Sequence, residues 1–333
     1  MTEISAILAA LAAAPGEPAA LATLVEVQGS SYRRPGARLL LLAGGHRLGS
    51  VSGGCLEEDV VLRARQVLET GRPDTTVYDT TQENDIVWGV GLGCQGIVRV
   101  FLEPIPVARP FWLSVLAENL ASGRPTELSI VHGGVAAARQ GTHLSDDVAI
   151  PADTAGVFQE IVLPPPSLVL CGAGDDVQPL VRLAREVGWR VTVVDSRAAY
   201  ATRARFPEAD AVVVAPPGET PARLALGEES FVVVMTHRYA EDLKLLQGLL
   251  ARPLAYLGVL GPRKRTERLL GELRRDGLAV DSEALGRLHA PVGLDLGSTT
   301  PGAIALSILA EIQGCAAGRK PISLRDRTAP IHG

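Results

Sequence analysis

The stretch SLVLCGAGDDVQPLVRLAREVGWRVTVVD, residues 167–195, decides the fold. A short apolar run ends in glycines, a helical pattern follows, and a second apolar run ends in an acidic residue. This order predicts two parallel strands joined by a helix. Three more apolar runs follow (DAVVVAPP, FVVVMTH and AYLGVLG), with helical patterns after the last two. We therefore predict an α/β fold in which the second half is a Rossmann-type, doubly wound parallel sheet.

The first loop of this half resembles a dinucleotide-binding fingerprint. Gly172 and Gly174 match its first two glycines, and Asp195 stands where an acidic residue holds a ribose hydroxyl. Val177 replaces the third small residue. The residues therefore leave open whether NAD or another nucleotide binds.

Three polar residues near this loop allow two interpretations each. Asp175 and Asp176 lie where a pyrophosphate would rest on the helix N-terminus, and two carboxylates would repel it. Alternatively, one of them caps the helix by binding its free amides. His237 follows another strand at the ligand-binding edge, where it either contacts a ligand or caps the strand end.

The chain before this half is predicted to form a smaller α+β domain. Its glycine-rich loops, strands and helical segments occupy residues 1–105, and the pattern weakens over residues 106–163. We interpret 106–163 as a variable extension and linker, with a helix and a few strands that complete the first domain. The triple proline at 164–166 is a stiff connection. The Rossmann-type domain then covers 164–320, and 321–333 form a tail.

Two cysteines lie in glycine-rich loops. Cys55 ends the loop GSVSGGC and precedes a helix whose N-terminus favours a thiolate, although the acidic residues of the first turn oppose this if they face the sulfur. Gly53 and Gly54 would let a ligand approach the backbone. Cys94 lies in the loop WGVGLGCQG, with no helix after it. Each cysteine is either a reactive thiolate or a small packing residue.

The remaining cysteines and the arginines give weaker signals. Cys171 ends a core strand and is predicted to pack, and Cys315 has no supporting context. Four arginines near the first loop form either an anion site or a solvated basic face: Arg33, Arg34, Arg38 and Arg47.

Composition limits the function classes. The chain has 333 residues, 47% of them hydrophobic, and a net charge of -5, so a nucleic-acid partner is not expected. No apolar run is long enough to span a bilayer, and the alanine-rich start carries Glu3 instead of a basic segment. Ile4, Ile7, Leu8 and Leu11 predict an amphipathic helix there. We expect a cytoplasmic protein without a disulfide framework.

Several motifs together resemble the XdhC/CoxI family, the xanthine dehydrogenase accessory proteins. They are EVQGSSYRRPGAR (26–38), GSVSGGCLE (49–57), WGVGLGCQG (88–96), CGAG (171–174), VTVVDSR (191–197), VVMTH (233–237), GVLGPRKR (258–265) and PVGLDLGSTTP (291–301). The resemblance covers most of the chain, and so many motifs in one order are far more specific than a single glycine pair.

The resemblance implies a chaperone of the molybdenum cofactor (molybdopterin). Such proteins bind the cofactor, protect it while a cysteine desulfurase provides sulfur, and deliver it to an apo molybdenum hydroxylase. It also implies a homodimer, and Cys55 as the residue tied to the cofactor and a possible contact of the molybdenum. Two other functions stay open: an NAD(P)-dependent oxidoreductase that uses the Rossmann-type domain, and a cofactor-free scaffold between desulfurase and hydroxylase.

Overall fold

The computed structural model describes residues 3–79, 96–134, 139–147, 155–224 and 226–328. The chain divides into two compact units, residues 2–164 and 165–333. The division falls inside the triple proline. Within the described residues, no helix is long and apolar enough to cross a membrane.

The first unit is built on an antiparallel sheet. Its helices and strands are α1 (Glu3–Ala13), β1 (Ala19–Gly29), β2 (Arg38–Leu42), β3 (Arg47–Gly49), α2 (Glu57–Thr70), β4 (Asp74–Asp79), β5 (Gly96–Ile105), α3 (Phe111–Ser122), β6 (Thr126–Val131), β7 (Gly141–Leu144) and β8 (Val157–Val162). Five of these strands form one sheet in the order β3-β2-β1-β5-β4, and β7-β6-β8 form a second, smaller one. All pairs in both sheets are antiparallel.

The five-stranded sheet has a core on each face because successive residues of a strand point to opposite faces, and in β1 and β2 successive residues are apolar. Ala19 and Leu21 of β1 belong to a core shared with α1 and α3. Ala20 and Leu24 belong to the opposite core, which α2 covers. The predicted N-terminal amphipathic helix is confirmed, since Ile7 and Leu11 of α1 are buried.

Residues 106–163, which the sequence suggests are an extension and linker, pack with the residues before them. Trp112 of α3, Leu128 of β6 and Val162 of β8 share one core with Ile7 of α1 and Phe101 of β5. The helix and strands expected in this stretch are therefore part of the first unit's core.

The second unit contains the parallel sheet. Its helices and strands are β9 (Ser167–Cys171), α4 (Val177–Glu186), β10 (Arg190–Asp195), β11 (Ala211–Val214), α5 (Thr220–Arg223), β12 (Ser230–Val234), α6 (Tyr239–Leu249), β13 (Tyr256–Val259), α7 (Arg263–Arg275), α8 (Ser282–Gly286), β14 (Leu288–His289) and α9 (Pro301–Ala316). Short 3₁₀ turns lie at Ser145–Asp147 in the first unit and at Leu324–Asp326.

The six strands are all parallel, in the order β11-β10-β9-β12-β13-β14. α4 and α9 cover one face, and α6 and α7 cover the other. The predicted doubly wound sheet is therefore confirmed. The chain winds from β9 towards β11 and then continues on the other side with β12, so the order reverses between β9 and β12. Ligands of open parallel sheets bind at the carboxyl ends of such strands.

Candidate functional site

Cys55 lies at the end of the loop between β3 and α2. Its thiol is exposed and free, and its Sγ atom lies 3.5 Å from the Oγ atom of Ser52. The preceding residue, Gly54, has a φ of 112°, and a Cβ there would meet no atom within 4 Å. Glycine is thus required by the backbone conformation, and the space beside the loop is open. Cys55 is not a packing residue.

Ser52 and Glu57 hold this loop in shape. The Oγ atom of Ser52 accepts hydrogen bonds from the amides of Gly54 and Leu56, both at 3.1 Å, and donates one to the Glu57 carboxylate. The other oxygen of Glu57 accepts from the Ser52 amide at 2.8 Å. Burial raises the pKa of Glu57, but the bonds from Ser52 outweigh it and hold that pKa below its ordinary value. The negative charge of Glu57 is therefore stabilised by hydrogen bonds from Ser52 within the loop.

The other two acidic residues of the first helical turn also have partners. Glu58 pairs with Arg47 at 3.1 Å. Asp59 accepts from Arg63 at 2.8 Å and from the Tyr78 hydroxyl at 2.7 Å. These contacts reduce the repulsion that the sequence suggests between this acidic turn and a Cys55 thiolate.

Tyr32 covers one side of the Cys55 loop, which the sequence did not predict. A Cβ added to Gly53 would lie 3.3 Å from the Cγ atom of Tyr32, so the ring rests against this glycine. The Tyr32 residue is nevertheless 69% exposed. An exposed ring beside a free thiol is an available surface for stacking a flat heterocycle.

Two of the arginines near the first loop are held by carboxylates. Arg33 lies 2.5 Å from Glu3, and Arg38 is buried and pairs with Glu160. Burial lowers the pKa of Arg38 to about 10, so it stays charged at neutral pH. Arg47 is paired as well, with Glu58. The exposed Arg34 is in the same loop.

The second glycine-rich loop falls outside the described residues, which resume at Gly96, so the predictions for Cys94 stay predictions. Gly96 itself pairs with Gly29 at the end of β1. A Cβ on Gly96 would lie 2.3 Å from the Ser30 carbonyl oxygen. The end of the second motif and the start of the first loop are therefore in backbone contact, at the same end of the sheet as Tyr32.

The glycine motif of the second unit serves close packing. Gly172 has a φ of 132°, and a Cβ there would lie 2.5 Å from the Met235 carbonyl oxygen. Beside Gly174, the space is filled by the carboxylate of Asp176, which would lie 2.6 Å from an added Cβ. The predicted helix cap is wrong, because α4 begins after Asp176 without a side-chain capping bond. The Oδ2 atom of Asp176 instead contacts the Nε2 atom of His237 at 2.7 Å.

The imidazole of His237 therefore has a side-chain partner in this structure, and its role in ligand binding stays a prediction. His237 has a φ of 60°, which is unusual for any residue with a Cβ. Asp195 is also occupied: its buried carboxylate accepts from the Ala173 amide at 2.8 Å and from the Arg197 guanidinium at 2.8 and 2.9 Å. Both oxygen atoms thus have partners where a ribose hydroxyl would bind. Cys171 is buried, as predicted, and burial raises the pKa of its thiol to about 12.

Comparison with known proteins identifies the family. The model described as "XdhC and CoxI family" matches residues 12–79, and the one described as "XdhC Rossmann domain" matches residues 168–312. A Bacillus subtilis protein, named as a probable subunit of xanthine dehydrogenase, is 33% identical over 314 residues, covering 89% of this chain and 92% of that protein. The chain belongs to the XdhC/CoxI family. The resemblance drawn from the sequence motifs is thereby confirmed.

Other family relatives agree. The Escherichia coli "Molybdenum cofactor insertion chaperone PaoD" is 25% identical over 302 residues, covering 89% of this chain and 83% of that protein. A Bacillus halodurans crystal structure, described as a xanthine dehydrogenase, is 32% identical and has a TM-score of 0.82. It covers 97% of this chain and 98% of that one, so the fold of this chain is the fold of that protein.

Proposed function

We propose that this protein binds the molybdenum cofactor as cargo and delivers it to a xanthine dehydrogenase-type molybdenum hydroxylase. Its relatives support a role in maturation through their names, one a probable component of xanthine dehydrogenase and one a cofactor insertion chaperone. The finer part of the proposal is that the cofactor is protected while a cysteine desulfurase exchanges one of its oxo ligands for sulfur. A homodimer is the proposed working unit.

One observation carries this proposal: the exposed thiol of Cys55 on an open glycine loop. A thiolate is a soft ligand, which suits a soft metal centre or sulfur. The Ser52–Glu57 bonds fix the loop before any cargo arrives, so little ordering is needed on binding. The ring of Tyr32 would stack on the pterin, whose flat heterocycle needs an exposed aromatic face.

The test is cofactor retention. The full chain is purified from a host that makes the cofactor, and molybdenum and released pterin are counted per chain. We expect Cys55→Ser to lose most of both. Cys315→Ser, which alters another exposed cysteine, is the matched control and is expected to retain both. Equal retention by the wild type and Cys55→Ser would remove Cys55 from the proposal.

The same measurement separates the alternatives. If the wild type carries no cofactor from any such host but still associates with a hydroxylase, the protein is a scaffold. If it carries cofactor but the recovered hydroxylase stays without terminal sulfur when the desulfurase is present, delivery stands and the sulfuration step is overturned.

A further inference from the structure

Cys315, His289 and Glu311 form a connected row of side chains in the second unit. The Sγ atom of Cys315 lies 3.9 Å from the Nε2 atom of His289. The Nδ1 atom of His289 lies 3.3 Å from the Oε1 atom of Glu311. Glu311 and Cys315 are one turn apart on α9, and His289 belongs to β14. The sequence indicated no context for Cys315, because its partner is distant in the chain.

Further contacts fix the imidazole. The Oε2 atom of Glu311 accepts from the Tyr256 hydroxyl at 2.5 Å and from the Gly293 amide at 2.9 Å. The buried Tyr256 ring stacks on His289, with the two ring centres 4.3 Å apart. Burial raises the pKa of Glu311, but the bonds from His289 and Tyr256 lower it overall, so it stays ionised. Glu311 is therefore a positioning residue.

This arrangement favours one tautomer of His289. An ionised Glu311 only accepts hydrogen bonds, so its 3.3 Å contact with the Nδ1 atom favours the proton on that atom. The Nε2 atom is then an unprotonated acceptor, and it faces the Cys315 thiol. A nucleophile, a base and a group that orients the base are the parts of a nucleophilic triad.

The thiol itself is accessible and is held in its protonated form. Cys315 is exposed. Partial burial and the charge of Glu311 raise the pKa of its thiol. The attack therefore needs His289 to remove the proton as the sulfur reacts, rather than a thiolate formed beforehand. The titratable groups that face this thiol are His289 on β14, Glu311 on its own helix and Tyr256 on β13.

The surroundings favour reaction at sulfur over reaction at a carbonyl carbon. Cys315 lies in the last turn of α9, the end of a helix that presents backbone carbonyl groups instead of amide donors. Acyl transfer needs amide donors for an oxyanion, whereas attack on sulfur places the developing charge on the departing thiolate. Nor do the described residues contain three His, Cys, Asp or Glu side chains arranged to hold a metal ion.

We propose that Cys315 accepts the outer sulfur atom of a persulfide. The Sγ atom attacks that sulfur while its proton moves to the Nε2 atom of His289. The sulfur–sulfur bond of the donor breaks, and the departing thiolate takes the proton from His289. The products are a Cys315 persulfide and the donor thiol, so atoms and electrons balance without another reactant. A plain disulfide would leave a mixed disulfide instead, and Cys171, the other described cysteine of this unit, is too buried to resolve it.

The test compares two exposed cysteines in one chain. The full-length protein is treated with cysteine persulfide for graded times, trapped with an alkylating reagent and mapped by peptide mass spectrometry. We expect the added sulfur on Cys315 to form about a hundredfold faster than in His289→Gln, the range of general base catalysis. Cys55, whose thiol contacts Ser52 instead of an imidazole, is the internal comparison and should not change rate in that variant.

Two further measurements separate chemistry from folding. Added imidazole should restore the rate in His289→Ala, which a merely structural histidine would not allow. Burial and the charge of Glu311 raise the pKa of the Cys315 thiol, so the advantage of the wild type over His289→Gln should shrink only at the high pH where this thiol ionises without a base. Equal rates in the wild type and His289→Gln, or sulfur on Cys55 alone, would overturn the proposal.

A second arm identifies the donor. A cysteine desulfurase supplied with cysteine replaces the small persulfide. Transfer in the desulfurase arm, with or without transfer from the small molecule, makes the donor a protein persulfide. Transfer from the small molecule alone makes the donor a free persulfide. Transfer in neither arm overturns the site. The inference goes beyond cofactor binding. Cys315→Ser should abolish the sulfur transfer and spare cofactor retention. Cys55→Ser should lose cofactor retention and keep the sulfur transfer to Cys315.

Discussion

The Nε2 atom of His237 lies 2.7 Å from the Oδ2 atom of Asp176, and this contact joins the loops that follow β12 and β9. The order of the parallel sheet reverses between these two strands. That is where open α/β sheets bind their ligands. In this protein, the pair itself fills the space beside Gly174 that a diphosphate would approach.

We expect neither NAD nor NADP to bind. Asp176 places a carboxylate at the phosphate position, and both oxygens of Asp195 already accept from Arg197 or Ala173. Calorimetric titration of the full chain with either nucleotide to millimolar concentration should give only heat of dilution. A saturable heat at one nucleotide per chain would contradict this and would restore the oxidoreductase hypothesis.

His237→Gly should be more stable than His237→Ala. Both substitutions remove the contact with Asp176, but only alanine keeps a Cβ at a φ of 60°. A left-handed conformation costs an L-residue about 1 kcal/mol or more, and glycine avoids this cost. Unfolding of both variants in urea measures the difference, which we expect to be about 1 kcal/mol. An alanine variant of equal or greater stability would show that the backbone relaxes.

The stability contribution of Glu57 should depend on pH. Its folded pKa is below the reference value of 4.5, so its contribution is complete above that value and is lost as the pH falls through the folded pKa. Glu57→Gln should therefore be destabilised by about 2 kcal/mol at pH near 7. The gap to the wild type should shrink as the pH falls below 4.5. The exposed Glu58→Gln is the control and should differ by no more than about 0.5 kcal/mol. A Glu57 gap that is independent of pH would contradict the charged hydrogen bonds.

Tyr32→Ala should lower cofactor retention without unfolding the protein. Stacking of a heterocycle on an aromatic ring contributes about 1–3 kcal/mol, which corresponds to about 5- to 150-fold in affinity. Because Tyr32 is 69% exposed, the free energy of unfolding should change little. Tyr32→Phe keeps the ring and should retain cofactor. Phe111→Ala, at a residue that is 71% exposed on α3, is the matched control. If Tyr32→Ala and Phe111→Ala retain equal amounts, the stacking role is wrong.

Local periodicity was enough to predict most elements of the second unit. The helical pattern expected after AYLGVLG is α7, which spans Arg263–Arg275, and α9 begins at Pro301 after Thr300, whose side chain accepts from the Ala303 amide. These signals are local: apolar spacing, and a threonine before a proline. The fold class follows from them because alternating strands and helices have few ways to pack.

Contacts between distant residues could not be predicted in this way. A helix cap by Asp175 or Asp176 was one of two interpretations, but Asp176 binds His237, which is 61 residues away. Cys315 had no visible partner because His289 is 26 residues earlier. The place of Cys55 before a helix was readable from the glycines and acidic residues around it. The hydrogen bonds of Ser52 that hold the loop depend on its backbone conformation, which cannot be derived from the spacing of residues in the sequence.

The pair of Arg38 and Glu160 determines how long a segment must be exchanged when the Cys55 loop is transferred between related proteins. Arg38 is the last residue of the motif at 26–38 and is 4% exposed. Its partner Glu160 lies on β8, shortly before the triple proline. A chimera that exchanged only residues 1–105 would separate this buried arginine from the carboxylate it pairs with, a loss of about 3–5 kcal/mol. Exchange of residues 2–164 keeps the pair together. The natural cassette for recombination among relatives is therefore the whole first unit.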